Sequence, residues 1–207
     1  MKNATVIFFV LFFISCSTDS PSDLQNGIVS GIVSDKTTDA PIAGATVYLL
    51  ANDGGGTWGS PTPSFEIAQT TSDANGNFSF DFDYTEGYTY YCSAVAPMYF
   101  NYGDEFSVEM FSTGGNNVKV ELQPIGYLHV HIKSVNEYEP SDFIGINSTP
   151  SYTFYGNEVD TNIILSVNGN SKYELVWFIY INGINDESES AEIYCSAFDT
   201  TFFEILY

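Results

Sequence analysis

A tandem pair of β-sandwiches with almost no helix is the all-β fold that this sequence predicts, and three observations predict it. Phe78, Phe80 and Phe82 alternate with Ser79, Asp81 and Asp83, a period of two that puts three rings on one face of a strand. Aromatic residues make up 16% of the 207, with 17 Phe and 15 Tyr, and such side chains suit a pleated, half-buried surface. Turn formers punctuate the apolar runs, as in Asp73-Ala74-Asn75-Gly76, where Asn and Gly tolerate positive φ.

The length allows one or two cores, and two small sandwiches fit it. Acidic residues number 26 against 5 Lys, with no Arg, for a net charge of −21. Nucleic acid and anionic lipid surfaces are bound by clustered Lys and Arg, so neither is an expected partner. Negative charge on this scale keeps a protein soluble and spaced from its neighbours.

Residues 1–15 read as a targeting signal. Lys2 gives a positive start, and Ala4 to Ile14 form an apolar stretch too short to span a bilayer. Ser15-Cys16 closes it, and the chain then turns polar. The segment resembles a bacterial lipoprotein signal, which implies cleavage before Cys16 and acylation of that cysteine. It departs from the usual pattern at Phe13-Ile14, where Leu followed by Ala or Ser is the norm; an ordinary secretory leader with a free cysteine is the alternative. Several acyl chains, each methylene contributing about 0.8 kcal/mol, hold a protein stably at a membrane. Residues 16–27, rich in Ser, Thr, Asp, Pro and Gly, read as a flexible tether. The expected address is the cell envelope, as an outer-membrane lipoprotein, with Asp19 and Asp23 a weak hint of surface export.

From residue 28 the runs read strand, turn, strand. Gly31, Val33 and Asp35 come first. Pro41, Ile42, Gly44, Ala45 and Val47 follow, then Thr70, Asp73, Gly76, Phe78 and Phe80, then Gly87-Tyr88. In that order and spacing they resemble the carboxypeptidase regulatory-like domain, a transthyretin-like sandwich of seven strands. The resemblance covers residues 28–123 and implies a fold and an accessory, non-catalytic role; a fold by itself fixes no activity. The carboxypeptidase zinc motif H-x-x-E is absent.

Residues 52–64 hold too much Gly and Pro for a strand and read as a long loop presenting Trp58. Such loops often carry binding, and Trp58 is the candidate ligand-binding residue, able to stack on a sugar ring or dock a partner. The plainer reading has it folded back over its own sandwich. Further strands are expected at Tyr88 to Val95, Glu105 to Met110 and Val118 to Leu122. Gln123-Pro124-Ile125-Gly126 marks the boundary, because Pro removes a ladder donor and Gly permits a change of direction.

Residues 124–207 read as a second β-sandwich. Leu128, Val130 and Ile132 face one way and His129, His131 and Lys133 the other. Strands are expected at Asn162 to Val167, Tyr173 to Ile181, Glu192 to Phe198 and Thr201 to Leu206. Ile193-Tyr194-Cys195-Ser196-Ala197 echoes Tyr90-Tyr91-Cys92-Ser93-Ala94, which suggests equivalent inner strands. On that reading Cys92 and Cys195 sit in different cores, farther apart than the ~7 Å between Cα atoms that a disulfide allows, and stay as buried thiols. The acidic run Asn185 to Ser190 reads as a solvated hairpin tip.

His129 and His131, at i and i+2, share a strand face and are the candidate metal ligands. The pair is similar to the His-x-His of the intradiol dioxygenases, whose iron site also uses two Tyr; that resemblance implies a metal enzyme. Against it, the pair falls about forty residues after Tyr88, no second Tyr ligand can be placed, and Arg is missing. Two solvent-facing strand histidines are the simpler reading. Asp73 to Asn77 lacks the calcium-loop spacing, with Tyr84 where the twelfth-position Glu belongs, and reads as a hairpin turn. No nucleophile elbow, phosphate loop or dinucleotide fingerprint occurs. The expectation is a non-catalytic, lipid-anchored interaction module without a cofactor, its partner a protein or a glycan; the alternatives are a glycan-binding surface lipoprotein and, behind it, the metal enzyme.

Overall fold

Runs of period two become strands. The computed structural model describes residues 25–54, 64–101, 108–110 and 116–207, and every regular element among them is a strand. Cys16 and Trp58 lie outside the described residues.

The first seven strands are β1 (Gln25–Asp35), β2 (Thr46–Asn52), β3 (Phe65–Thr71), β4 (Asn77–Tyr84), β5 (Thr89–Val95), β6 (Val108–Met110) and β7 (Asn116–Leu122). They form two sheets, ordered β4-β1-β7 and β3-β2-β5-β6. β1 sits at the centre of the smaller sheet, antiparallel to β4 and parallel to β7. Val29, Val33, Val47, Leu49, Cys92 and Val120 fill the space between the sheets with the three phenylalanines of β4. The alternation read from Phe78, Phe80 and Phe82 is thus the inner face of β4, with Asn77, Ser79 and Asp81 exposed. Gly31 is opposite Val118 across β1 and β7, and a Cβ on it would fall on the Val118 carbonyl oxygen. Only glycine lets those two backbones approach so closely.

One local expectation is corrected here. Asp73 to Gly76 does not close a hairpin, because β3 and β4 belong to different sheets. It is a tight crossover between layers. Asp73 Oδ1 accepts from the backbone N–H groups of Asn75 and Asn77, both at 2.8 Å, an arrangement in which the Asx side chain mimics a backbone turn.

The next seven strands are β8 (Ile125–Lys133), β9 (Phe143–Asn147), β10 (Tyr152–Tyr155), β11 (Asp160–Asn168), β12 (Ser171–Ile181), β13 (Ile184–Cys195) and β14 (Thr200–Leu206). Their sheets are ordered β11-β8-β14 and β10-β9-β12-β13. Strand for strand this is the wiring of the first seven: the first strand is central, antiparallel to the fourth and parallel to the seventh. A separate core forms from Leu128, Val130, Ile132, Ile144, Ile146, Leu175 and their neighbours. β9 and β10 are too short, at 5 and 4 residues, to give a readable period.

Two more expectations change. The strand equivalent to β5 is β12, whereas Cys195 ends β13, so the five-residue echo does not mark equivalent strands. Both cysteines are nevertheless buried and unbridged. The acidic run is not a hairpin tip either: Asn182 and Gly183 make the turn, both at positive φ, and Glu187 to Ser190 lie in β13 paired with Ile179 to Val176. β13 is an edge strand, and charge along an edge discourages pairing with another chain.

The two cores meet at Gln123-Pro124. Gln123 Nε2 donates to the carbonyls of Pro124 (3.3 Å) and Gly169 (3.2 Å). The backbone N–H of Ile125 crosses the joint to the Met98 carbonyl at 2.9 Å, while those of Phe100, Gly169 and Phe198 bond to the carbonyls of Gln123, Pro124 and Ile125 at 2.7–2.9 Å. Asn170 Nδ2 donates to Thr37 Oγ1 at 2.9 Å, and the rings of Tyr99 and Phe198 stand edge to face, 5.3 Å apart. Gly126 serves close approach and not a change of direction, since a Cβ there would meet the Ser196 carbonyl oxygen at 2.8 Å. The boundary is therefore a bonded joint between the sandwiches.

Candidate functional site

β8 is flanked on both sides within its sheet, so its residues alternate between the core and an outer face that looks into solvent. Leu128, Val130 and Ile132 are fully buried. His129, His131 and Lys133 emerge on the outer face. Register then brings residues from distant parts of the chain beside them: Ile164 and Phe202 lie opposite His129, Asn162 and Glu204 opposite His131, and Asp160 and Leu206 opposite Lys133.

The side chains are tied across the three strands. His131 Nδ1 is 2.9 Å from Glu204 Oε1, and its Nε2 is 2.8 Å from Asp160 Oδ1. Lys133 Nζ donates to Asp160 Oδ2 at 3.0 Å. His129 Nε2 is 2.9 Å from Asn162 Oδ1, and its ring tilts against that of Phe202 with centroids 4.9 Å apart. An open depression of about 510 Å³ on this face is lined by His129, His131, Asn162, Phe202, Phe203 and Glu204.

Electrostatics follow from that geometry. Hydrogen bonds to Asp160 and then Glu204 push the His131 imidazole above its ordinary value, and the same contact, with Lys133, holds the Asp160 carboxyl low. When protonated, an imidazole facing an acceptor from both nitrogens donates to both. In that form it offers no lone pair to a metal. Among the described residues no group of three or more His, Cys, Asp or Glu side chains is placed to hold a metal ion. His129 and His131 thus share a face as the sequence predicts, in a geometry built for hydrogen bonding.

Neither thiol is an exposed nucleophile: burial pushes Cys92 up to about 12 and raises Cys195 as well, and a neutral thiol is inert. Asp160, Asn162, Phe202 and Glu204 were not singled out by sequence reasoning. The available signal was Thr201-Phe202-Phe203-Glu204-Ile205, in which one Phe must face outward if the other faces the core.

Residues 28–123 match the family model of the carboxypeptidase regulatory-like domain. No curated protein matches the chain in sequence. Among solved structures, the Bacillus anthracis TIE protein is 14% identical, over 87% of this chain and 34% of its own, with a TM-score of 0.38. A streptococcal ancillary pilin is 10% identical over 89% and 63%, TM-score 0.40. The minor pilin GBS52 of Streptococcus agalactiae is 12% identical over 87% and 94%, TM-score 0.41. This chain spans about a third of the first and less than two thirds of the second, and at such scores the likeness fixes neither fold nor function.

Proposed function

With residues 28–123 forming a carboxypeptidase regulatory-like domain, we propose that the chain is a non-catalytic accessory protein of the cell envelope. Acyl chains on Cys16 would hold it at the outer membrane, and its two sandwiches would act as one stiff interaction module. The bonded joint at Gln123-Pro124 carries the stiff-module reading: backbone and side-chain hydrogen bonds from both sandwiches converge on it, and such bonding favours end-to-end rigidity over independent tumbling. The non-catalytic reading is supported by the chemistry on the described surface. His131 is engaged at both nitrogens, and the two described thiols are buried, so neither supplies a free base or a free nucleophile.

The anchor is tested by mass spectrometry of the N-terminal peptide from membrane-fractionated cells, together with a Cys16→Ser variant. Diacyl- or triacyl-modified Cys16, and release of the variant from the membrane fraction, are expected. An unmodified thiol in the mature protein overturns the anchored reading. Protease shaving of intact cells then decides which face displays the sandwiches.

A further inference from the structure

We propose that the outer face of the β11-β8-β14 sheet is a binding site for a neutral pyranose oligosaccharide, centred on Phe202 and bordered by His129, Asn162 and Glu204. This deepens the accessory reading, on which it rests, by naming the class of ligand the module would carry.

The first argument is the aromatic surface. Phe202 is 73% exposed, on the solvent side of a strand whose other face is packed in the core. Its ring is braced from one side by His129 at 4.9 Å. A large apolar ring held upright in water offers what the C–H face of a pyranose stacks against. Ile164, also exposed, extends the apolar floor on the far side of His129, opposite which both residues lie.

The second is unspent hydrogen-bonding capacity beside that ring. Asn162 accepts through Oδ1, and Glu204 accepts through Oε1. Asn162 Nδ2 and Glu204 Oε2 have no partner among the described residues. One donor and one acceptor flanking an aromatic face match the vicinal hydroxyls of a sugar, each of which both donates and accepts. They are also held in place. From the central strand His129 holds Asn162 of β11 and His131 holds Glu204 of β14, so little ordering remains to be done on binding.

The third is charge, which selects a neutral ligand. The cations on this face, His131 and Lys133, are already matched to Asp160 and Glu204. The chain carries −21 overall. Phosphorylated, sulfated or uronic-acid polymers would find no free cation here and a repulsive field around it. An open depression of about 510 Å³ has room for one or two sugar rings while leaving both ends of a chain in solvent, which suits the interior of a polysaccharide.

The test is NMR titration of the full chain, purified in detergent, with maltohexaose, cellohexaose, xylohexaose and mannohexaose. At least one is expected to shift the His129, Asn162 and Phe202 resonances, with a dissociation constant on the order of 1 mM, typical of a small open site. Phe202→Ala is expected to weaken that binding about tenfold, and Asn162→Ala to weaken it as well, with the backbone spectrum otherwise unchanged. Binding by none of the four overturns the proposal, as does binding that Phe202→Ala leaves intact. A Phe202-dependent dimer seen by light scattering assigns the face to a second copy of the chain and overturns it too. Hydrolysis of a bound oligosaccharide would leave the site standing and refute the non-catalytic reading, which separates the two failures.

Discussion

Tyr99 donates from its hydroxyl to Asp35 Oδ2 at 3.1 Å, joining the last residue of β1 to the segment that leads back to the joint between the sandwiches. Asp35 is only 3% exposed. Its other oxygen accepts from Thr37 N–H (2.8 Å), Thr37 Oγ1 (2.6 Å) and Thr38 N–H (3.0 Å). Burial pushes this carboxyl up, but the bonds from Thr37, Tyr99 and Thr38 together outweigh it and hold it below the usual carboxylate range. The same pairing, with burial the larger cause, pushes Tyr99 up to about 12.

Removing that bond isolates its contribution. Tyr99→Phe keeps the ring against Phe198 and takes away one donor to a buried carboxylate, which costs about 1–3 kcal/mol. Because the folded Asp35 is depressed, the stability it adds is present above the unfolded value near 3.8 and disappears as pH falls through the folded one. Urea unfolding of the wild type and of Asp35→Asn is expected to differ at pH 7 and to converge at strongly acidic pH. A gap that persists unchanged in acid contradicts the assignment.

Gly31 is expected to tolerate no side chain. An alanine Cβ would collide with the Val118 carbonyl oxygen and crowd the Phe78 ring. Both belong to strands that flank β1, so relief requires prising the sheet apart. Gly31→Ala is expected to destabilise the first sandwich by about 3 kcal/mol, at the upper end of overpacking costs. Two-probe thermal unfolding, following one sandwich separately from the other, checks this; an unchanged midpoint refutes it.

His131 makes the second sandwich sensitive to alkali. It faces Asp160 and Glu204, with Lys133 on the far side of Asp160, and its folded value lies above the ordinary 6.5. The stability it contributes is therefore complete below about 6.5 and fades as pH rises through the folded value. Histidine resonances titrated by NMR are expected to give His131 a midpoint above 6.5. His131→Gln is expected to flatten the fall in melting temperature between pH 6 and 9; equal slopes in both proteins count against the clamp.

Glu187 and Glu189 guard an exposed edge. They pair with Ile179 and Trp177, residues that face the core, yet both glutamates are solvent-exposed on edge strand β13. Charges directed toward the inner side of an edge block the approach of a second apolar strand. The double variant Glu187→Val, Glu189→Val is expected to self-associate at concentrations where the wild type is monodisperse by light scattering. If it stays monodisperse, some other feature protects the edge.

Local pattern was enough wherever one side chain after another reports the same face. The alternation of Phe78, Phe80 and Phe82, and of Leu128, Val130 and Ile132, placed β4 and β8 in cores before any contact was known. Pattern failed where partner choice mattered. Asp73 to Gly76 has the residues of a hairpin turn, but a turn specifies a reversal and not the sheet that receives the next strand. The echo around Cys92 and Cys195 matched residue types while the strands differed. The acidic run looked like a loop because charge signals solvent, and an edge strand has solvent too.

By itself the sequence determined the β class, the carboxypeptidase regulatory-like character of residues 28–123 and the outward direction of His129 and His131, because each rests on neighbours in the chain. Only the tertiary structure decided that the second half repeats the wiring of the first, that Gln123-Pro124 is a bonded joint, and that Asp160, Asn162, Phe202 and Glu204 gather around the two histidines. Those contacts join residues 29 to 73 positions apart, and strand pairing over such separations is chosen by the burial of whole sheet faces, which no short stretch of sequence encodes.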